Sequence, residues 1–189
     1  ASECQAMDPV KILAFAGSLR AGSFNRKLIL NSQRLAPESM EMEIFALDDI
    51  PLYHGDREEP EMPAPVVDFK RRIEAADGLL IATPEYNFSF PGVLKNAIDW
   101  ASRPDGGRIL AGKPVALQSA SPGWAGGLRA QLHLRQVLHF FPMRVQFFPE
   151  VCVGQAHHKF DGDTLTDPLA IENITKQLTV FVDFVRQGR

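Results

Sequence analysis

Cysteine is scarce in this chain, with only Cys4 and Cys152, far apart in the sequence. Two residues so placed fit neither a zinc-ligand spacing nor a disulfide framework, which excludes a cross-linked secreted scaffold and predicts a reducing, cytoplasmic setting. Charge of one sign is lacking too. Lys and Arg number 20 against 23 Asp and Glu, a formal charge of −3, and no segment interleaves basic residues with aromatics, so a nucleic-acid partner is not expected. Long apolar runs are missing as well. The run Val10–Ala16 contains a lysine and stops at Gly17, too short for a membrane span or a signal peptide, and Ala1–Pro9 has no basic lead-in.

What is present is an ordinary globular composition: 189 residues, 45% hydrophobic and 23% charged. Disordered, collagen-like and coiled-coil readings drop out. A chain of this length buries roughly 70% of its unfolded surface, so residues 1–189 are read as a single domain.

Five short apolar runs alternate with amphipathic ones. The strands are expected at Val10–Ala16, Met42–Leu47, Gly78–Thr83, Pro114–Ala120 and Val145–Val153, rich in Ile, Leu, Val and Phe with little alternation, as in strands covered on both faces. Helical periodicity runs through Phe24–Leu35, Val66–Ala76, Pro91–Ala101, Leu128–Phe140 and Leu169–Val185. Five strand–helix units with right-handed crossovers predict an α/β fold of flavodoxin-like topology, a parallel sheet in the order 2-1-3-4-5 with helices on both faces. Two long segments, Asp48–Pro65 and Gly154–Pro168, are expected as loops.

In such a sheet a ligand sits beyond the carboxyl ends of strands one and three, where the strand order reverses. The first exit loop reads Gly17-Ser18-Leu19-Arg20-Ala21-Gly22-Ser23-Phe24-Asn25 and runs into a helix. Glycines let the backbone aim its amides at an anion, and the helix N-terminus favours negative charge, so the loop suits a phosphate. A Walker loop is excluded because Ser23 stands where its lysine belongs. G-x-G-x-x-G is absent, and no cysteine is present to act as a phosphatase nucleophile. A bound, unreacted monophosphate remains, alongside the simpler reading of a turn and an N-cap, and residue types alone leave both open.

The third exit loop, Thr83-Pro84-Glu85-Tyr86-Asn87-Phe88-Ser89-Phe90-Pro91-Gly92, is unusually aromatic. Stiffened by prolines, its amides and Asn87 suit the carbonyls and nitrogens of a flat heterocycle, while Phe90 and Trp100 read as core or dimer-contact residues. The two loops together suggest a mononucleotide.

These segments, with Pro91-Gly-Val-Leu-Lys-Asn-Ala-Ile-Asp-Trp100, Pro51-Leu-Tyr53 and Leu110-Ala-Gly-Lys-Pro114, resemble the NADPH-dependent FMN reductase family, in particular its bacterial chromate and quinone reductase branch. The resemblance runs in motif order from about Val10 to the C-terminus. It implies FMN as cofactor, NADPH or NADH as hydride donor, and a homodimer or homotetramer whose neighbouring subunit borders the flavin. By the same resemblance Ser18, Arg20, Ser23 and Asn25 contact the phosphate within the loop from Ser18 through Leu19, Ala21, Gly22 and Phe24. Pro84, Glu85, Tyr86 and Asn87 meet the ring, and Gln118-Ser119-Ala120-Ser121 lines its other edge. Several family members carry a hydroxyl residue where Ala120 stands, so any hydrogen bond there must come from Ser119, Ser121 or backbone.

The implied activity is ping-pong hydride transfer through the flavin to small acceptors: quinones, chromate, azo dyes, ferric chelates or free flavin. No acid–base pair is required of the protein. An FMN electron carrier or a flavin-binding sensor are the rivals, and the modest charge argues against the carrier. Of the smaller signals, His157-His158 lacks ligand partners, Asp161-Gly162-Asp163 reads as a turn, and Asp56–Glu61 reads as a solvated loop or a lid. Arg103 and Arg108 are candidates for the NADPH phosphate, and Arg129, His133, Arg135 and Glu150 for contacts between dimers.

Overall fold

The computed structural model describes residues 8–58 and 60–188; Cys4 and most of the Ala1–Pro9 lead lie outside the described residues. Strands β1 (Val10–Ala16), β2 (Met40–Phe45), β3 (Gly78–Ala82) and β4 (Pro114–Ala120) form a parallel sheet with two short edge strands, β5 (Arg144–Val145) and β6 (Val151–Val153). The order is β2-β1-β3-β4-β5, with β6 also paired to β4. This is the flavodoxin-like arrangement that the alternating pattern predicts.

The lack of alternation in β1, β3 and β4 has its expected cause. Leu13, Phe15, Leu79, Ile81, Val115 and Leu117 enter one core with the apolar faces of α2 (Ala64–Ala75), α3 (Gly92–Ala101) and α4 (Leu128–Phe140). Ile12, Ala14, Leu80, Ala82 and Ala116 enter the other with α1 (Phe24–Arg34) and α5 (Pro168–Arg186). These strand positions are apolar on both faces because each face lies under a helical layer.

The second and fifth strands depart most from expectation. The second strand begins at Met40 and ends at Phe45, because its register with β1 runs from Val10 opposite Met40 to Phe15 opposite Phe45. Ala46 and Leu47, expected within it, leave the sheet, and Leu47 caps a core while its carbonyl accepts from Ile50 N–H at 3.2 Å. The fifth strand is broken at Gln146–Glu150 around the Phe148–Pro149 bond. Pro149 has no N–H to pair, and α5 fills the gap: Gln177 Nε2 donates to Leu117 O at 3.0 Å and to Pro149 O at 3.1 Å.

The Gly154–Pro168 segment is not a plain loop. It holds a 3-10 turn at Ala156–His158 and a hairpin of β7 (Phe160–Asp161) and β8 (Thr164–Leu165) around Gly162, the expected turn. In the Asp48–Pro65 segment, Pro51 and Tyr53 are strapped to α3. Trp100 Nε1 and Asn96 Nδ2 each donate to Pro51 O at 2.8 Å, and Tyr53 N–H donates to Asn96 Oδ1 at 2.7 Å. Trp100 is fully buried against Tyr53, as a core residue. Among the described residues no helix is long and apolar enough to cross a membrane.

Candidate functional site

The carboxyl ends of β1, β3 and β4 open into one cleft of about 230 Å³. Its walls come from three exit loops: Ser18, Arg20, Ser23, Phe24 and Asn25 after β1, Pro84, Glu85 and Tyr86 after β3, and Ala120, Ser121 and Pro122 after β4. The strand-order reversal between β1 and β3 leaves no crossover helix over this spot, so the loops diverge and leave room.

The first loop carries groups that could cradle an anion. Ser23 caps α1, its Oγ accepting from Asn25 N–H at 3.2 Å and Arg26 N–H at 3.4 Å, so the turn-and-cap reading is correct and compatible with a ligand. Among the described residues, none of the consecutive backbone N–H groups from Ser18 to Gly22 has a protein acceptor. The Ser18 hydroxyl is likewise unengaged although Ser18 is only 3% exposed, and the exposed Arg20 guanidinium contacts just Gly22 O at 3.3 Å. Unpaired amides, two hydroxyls, one guanidinium and a helix N-terminus match the acceptor set of a phosphate monoester. Arg26, the next cation, is turned away onto Asp48.

The third loop holds a two-residue hairpin turn. Tyr86 N–H donates to Ser89 O at 2.8 Å and Ser89 N–H to Tyr86 O at 3.1 Å, with Asn87 and Phe88 both at positive φ, 51° and 70°. This is type I′ geometry, in which the second position ordinarily takes glycine. Phe88 bears a cost of roughly 1–2 kcal/mol there, and the Arg129 guanidinium lies over its ring at 3.8 Å from the centroid. Arg129 Nε also donates to Glu85 Oε1 at 2.6 Å. Glu85 lines the cleft with a side chain only 8% exposed, and among the described residues its Oε2 has no hydrogen-bond partner, a buried acceptor without a donor. A polar heterocycle bearing N–H or hydroxyl groups, or a water it holds, fits that need.

Most of the expected site residues converge here, with differences. Leu19, Ala21 and Gly22 are exposed on the loop rather than in the wall, and Asn87 sits at the turn tip outside it. Ser119 and Gln118 are not in the cleft: both are fully buried, Ser119 Oγ accepting from Gln131 Nε2 at 2.8 Å and Gln118 bridging Ser32 to Gln177. Side chains alternate along a strand, so with Ala120 at the rim its neighbour Ser119 faces the interior. Sequence reasoning missed Pro122, for which the turn-forming Ser-Pro-Gly after β4 was the available signal. Arg129, expected between dimers, is engaged within the chain. Arg103 lies over Tyr53, its centre 5.5 Å from the ring centroid, and exposed Arg108 faces Asp105 at 3.6 Å.

The family model described as NADPH-dependent FMN reductase matches residues 10–158. The chain is 43% identical over 185 residues to a quinone reductase of Escherichia coli K12, covering 95% of this chain and 97% of that one. It is 44% identical over 183 residues to an NAD(P)H-dependent FMN reductase of Pseudomonas aeruginosa, covering 96% and 98%. The solved structure of FerB, a flavoenzyme NAD(P)H:(acceptor) oxidoreductase from Paracoccus denitrificans, superposes with a TM-score of 0.86 at 35% identity over 95% of this chain and 98% of that one.

Proposed function

The chain belongs to the NADPH-dependent FMN reductase family, and we propose that it is an NAD(P)H-dependent oxidoreductase that holds FMN in the cleft beyond β1, β3 and β4 and reduces quinones. The observation that carries the site assignment is the run of amides from Ser18 to Gly22 without acceptors at the start of α1, which a phosphate monoester satisfies. The chemistry supplied by bound FMN is two-electron transfer: a hydride in from NAD(P)H with a proton from solvent, and two electrons with two protons out to a quinone, giving the hydroquinone.

The protein's own part is binding and orientation. The Ser18 and Ser23 hydroxyls, Arg20 and the loop amides anchor the phosphate. Pro84, Glu85 and Tyr86 border the ring on one side and the β4 exit on the other, with Arg129 neutralising Glu85. Donor and acceptor use the same open side in turn, which is a ping-pong scheme, and parallel initial-velocity lines support it while intersecting lines oppose it. A site that asks only for a flat or small oxidant extends to chromate, azo dyes, ferric chelates and free flavin, with Arg103 and Arg108 available to the extra phosphate of NADPH.

Self-association as a homodimer or homotetramer is supported by exposed apolar residues on and near α4, among them Phe88, Leu132 and Phe140. A reducing, cytoplasmic setting completes the reading. The deciding experiment is the visible spectrum of the purified protein with added FMN, then with NADPH under anaerobic conditions. Bleaching identifies a reductase, a stable yellow complex identifies an electron carrier or sensor, and a protein that takes up no FMN overturns the site.

A further inference from the structure

We propose that Asn25 is a positioning residue for this site: its side-chain amide locks the start of α1 to the end of β4, holding the phosphate cradle and the ring-bordering edge at one spacing. The inference rests on the FMN reading above and gives Asn25 a role other than phosphate ligand.

Asn25 is 2% exposed. Its Nδ2 donates to Ala120 O at 2.9 Å and its Oδ1 accepts from Ala120 N–H at 2.9 Å, across 95 positions of sequence. Every hydrogen bond its side chain makes within the described residues goes to that one residue. A residue exchanging both bonds with one partner is the unit of an antiparallel ladder, here made by a side chain.

The reason lies in the sheet. Along β4 the backbone groups of alternate residues point to opposite neighbours. Gln118 faces β3, its carbonyl accepting from Thr83 N–H at 2.9 Å, while Ser121 faces β6, donating to Val153 O at 3.0 Å. Ala120 therefore faces the β3 side, but the β3–β4 register ends at Ala82 opposite Gln118 and the chain turns away at Pro84. Without Asn25, the last peptide pair of β4 on that side would be buried and unpaired. The same divergence that opens the cleft creates this gap, and the residue that closes it is two positions after the α1 cap.

Asn31 supplies an internal comparison. Its side-chain amide clamps the same helix elsewhere, Nδ2 donating to Asp163 O at 2.7 Å and Oδ1 accepting from Leu165 N–H at 3.0 Å on the β7–β8 hairpin. Both residues hold α1, yet only Asn25 ties it to a cleft wall.

The test compares Asn25→Ala with Asn31→Ala. Hydrogen–deuterium exchange at the Ala120 amide is read in flavin-free protein, FMN affinity by fluorescence titration, and the visible circular dichroism of the flavin at saturating FMN. For Asn25→Ala, loss of two buried hydrogen bonds predicts Ala120 exchange accelerated roughly tenfold or more, FMN affinity down by roughly tenfold, and an altered flavin dichroism at saturation. Asn31→Ala is expected to lower thermal stability and leave Ala120 exchange and the dichroism at wild-type values.

Weakened FMN binding with unchanged Ala120 exchange and dichroism would make Asn25 a phosphate ligand and overturn the proposal, as would equal effects from both substitutions. Should Asn25→Ala fail to fold, isosteric Asn25→Asp keeps only the acceptor. The proposal then expects altered dichroism, and wild-type exchange with wild-type dichroism refutes it. A wild-type protein that binds no FMN defeats the reading of the site, whereas the exchange measurement still judges the strut by itself.

Discussion

Replacing Ser23 with alanine removes one oxygen to which the structure gives a helix cap and the proposed function a phosphate contact, and the two contributions differ in magnitude. In flavin-free protein the Oγ caps α1, and losing such a cap costs about 1 kcal/mol. For a chain of this length that lowers the melting midpoint by roughly 2–4 °C. With FMN present, the hydroxyl proton is free to donate to the phosphate. A hydrogen bond to a charged acceptor contributes about 1.5–3 kcal/mol, equivalent to a roughly 10- to 150-fold rise in Kd. Ser23→Gly distinguishes the contributions, since glycine caps a helix to within a few tenths of a kcal/mol but carries no hydroxyl.

The expected pattern is therefore a Ser23→Gly protein that melts almost with the wild type and loses FMN affinity as much as Ser23→Ala does. Riboflavin, which lacks the phosphate, should bind all three proteins alike. Calorimetry of the flavin-free forms and fluorescence titration with both flavins measure this. If Ser23→Gly holds FMN as tightly as the wild type, or loses both flavins equally, the phosphate is not seated at this corner and the cradle assignment fails.

Three other perturbations test the surrounding structure. Gly126→Ala would place a Cβ 2.7 Å from the Cys152 carbonyl carbon at φ +62°; since strand backbone cannot give way, a loss of at least about 2 kcal/mol is expected in urea unfolding. Gly92→Ala, with open space around it, serves as the neutral control. The Glu85–Arg129 pair should be asymmetric: Glu85 is nearly buried and Arg129 is 42% exposed, so Arg129→Met leaves a largely desolvated carboxylate without its cation and is more destabilising than Glu85→Gln. Equal losses in chemical denaturation would contradict that. Burial pushes the Cys152 thiol above its ordinary 9.0, and the hydrogen bond to Glu58 raises the Tyr53 phenol above 10.0. Both groups stay protonated longer when folded, so their stabilisation is complete below those ordinary values and declines as pH rises through the folded ones. Stability should fall from about pH 9 upward, the first part of the decline flattening in Cys152→Ala; an unaltered profile in that variant would refute the assignment.

Much of the architecture was legible because burial on both faces leaves an uninterrupted apolar run, and β1, β3 and β4 are read from that run alone. The broken edge strand was not legible. Val145 and Val151–Val153 look continuous by composition, and the break depends on Gln177, an α5 side chain that pairs with the β4 carbonyl left over. The third exit loop shows the same limit. A type I′ turn announces itself by Asn-Gly, and Asn87-Phe88 hides it, since Phe88 tolerates the geometry beneath a guanidinium from α4. Local composition does not say which face of a strand's last residues meets the cleft, so Ser119, expected at the ring edge, is buried instead and Pro122 joins the wall.

By itself the amino-acid order determined the succession of strands and helices, the double covering of the sheet and the polar, glycine-bearing corner after β1, since each is read from the types and spacing of residues close in the chain. Tertiary structure decided which parts of three loops share one cleft, that Asn25 pairs with Ala120 and that Arg129 neutralises Glu85. Those partners lie 95 and 44 positions apart. Periodicity reports whether a position is buried, but which distant polar group satisfies it there is set only when the sheet closes and the strands diverge.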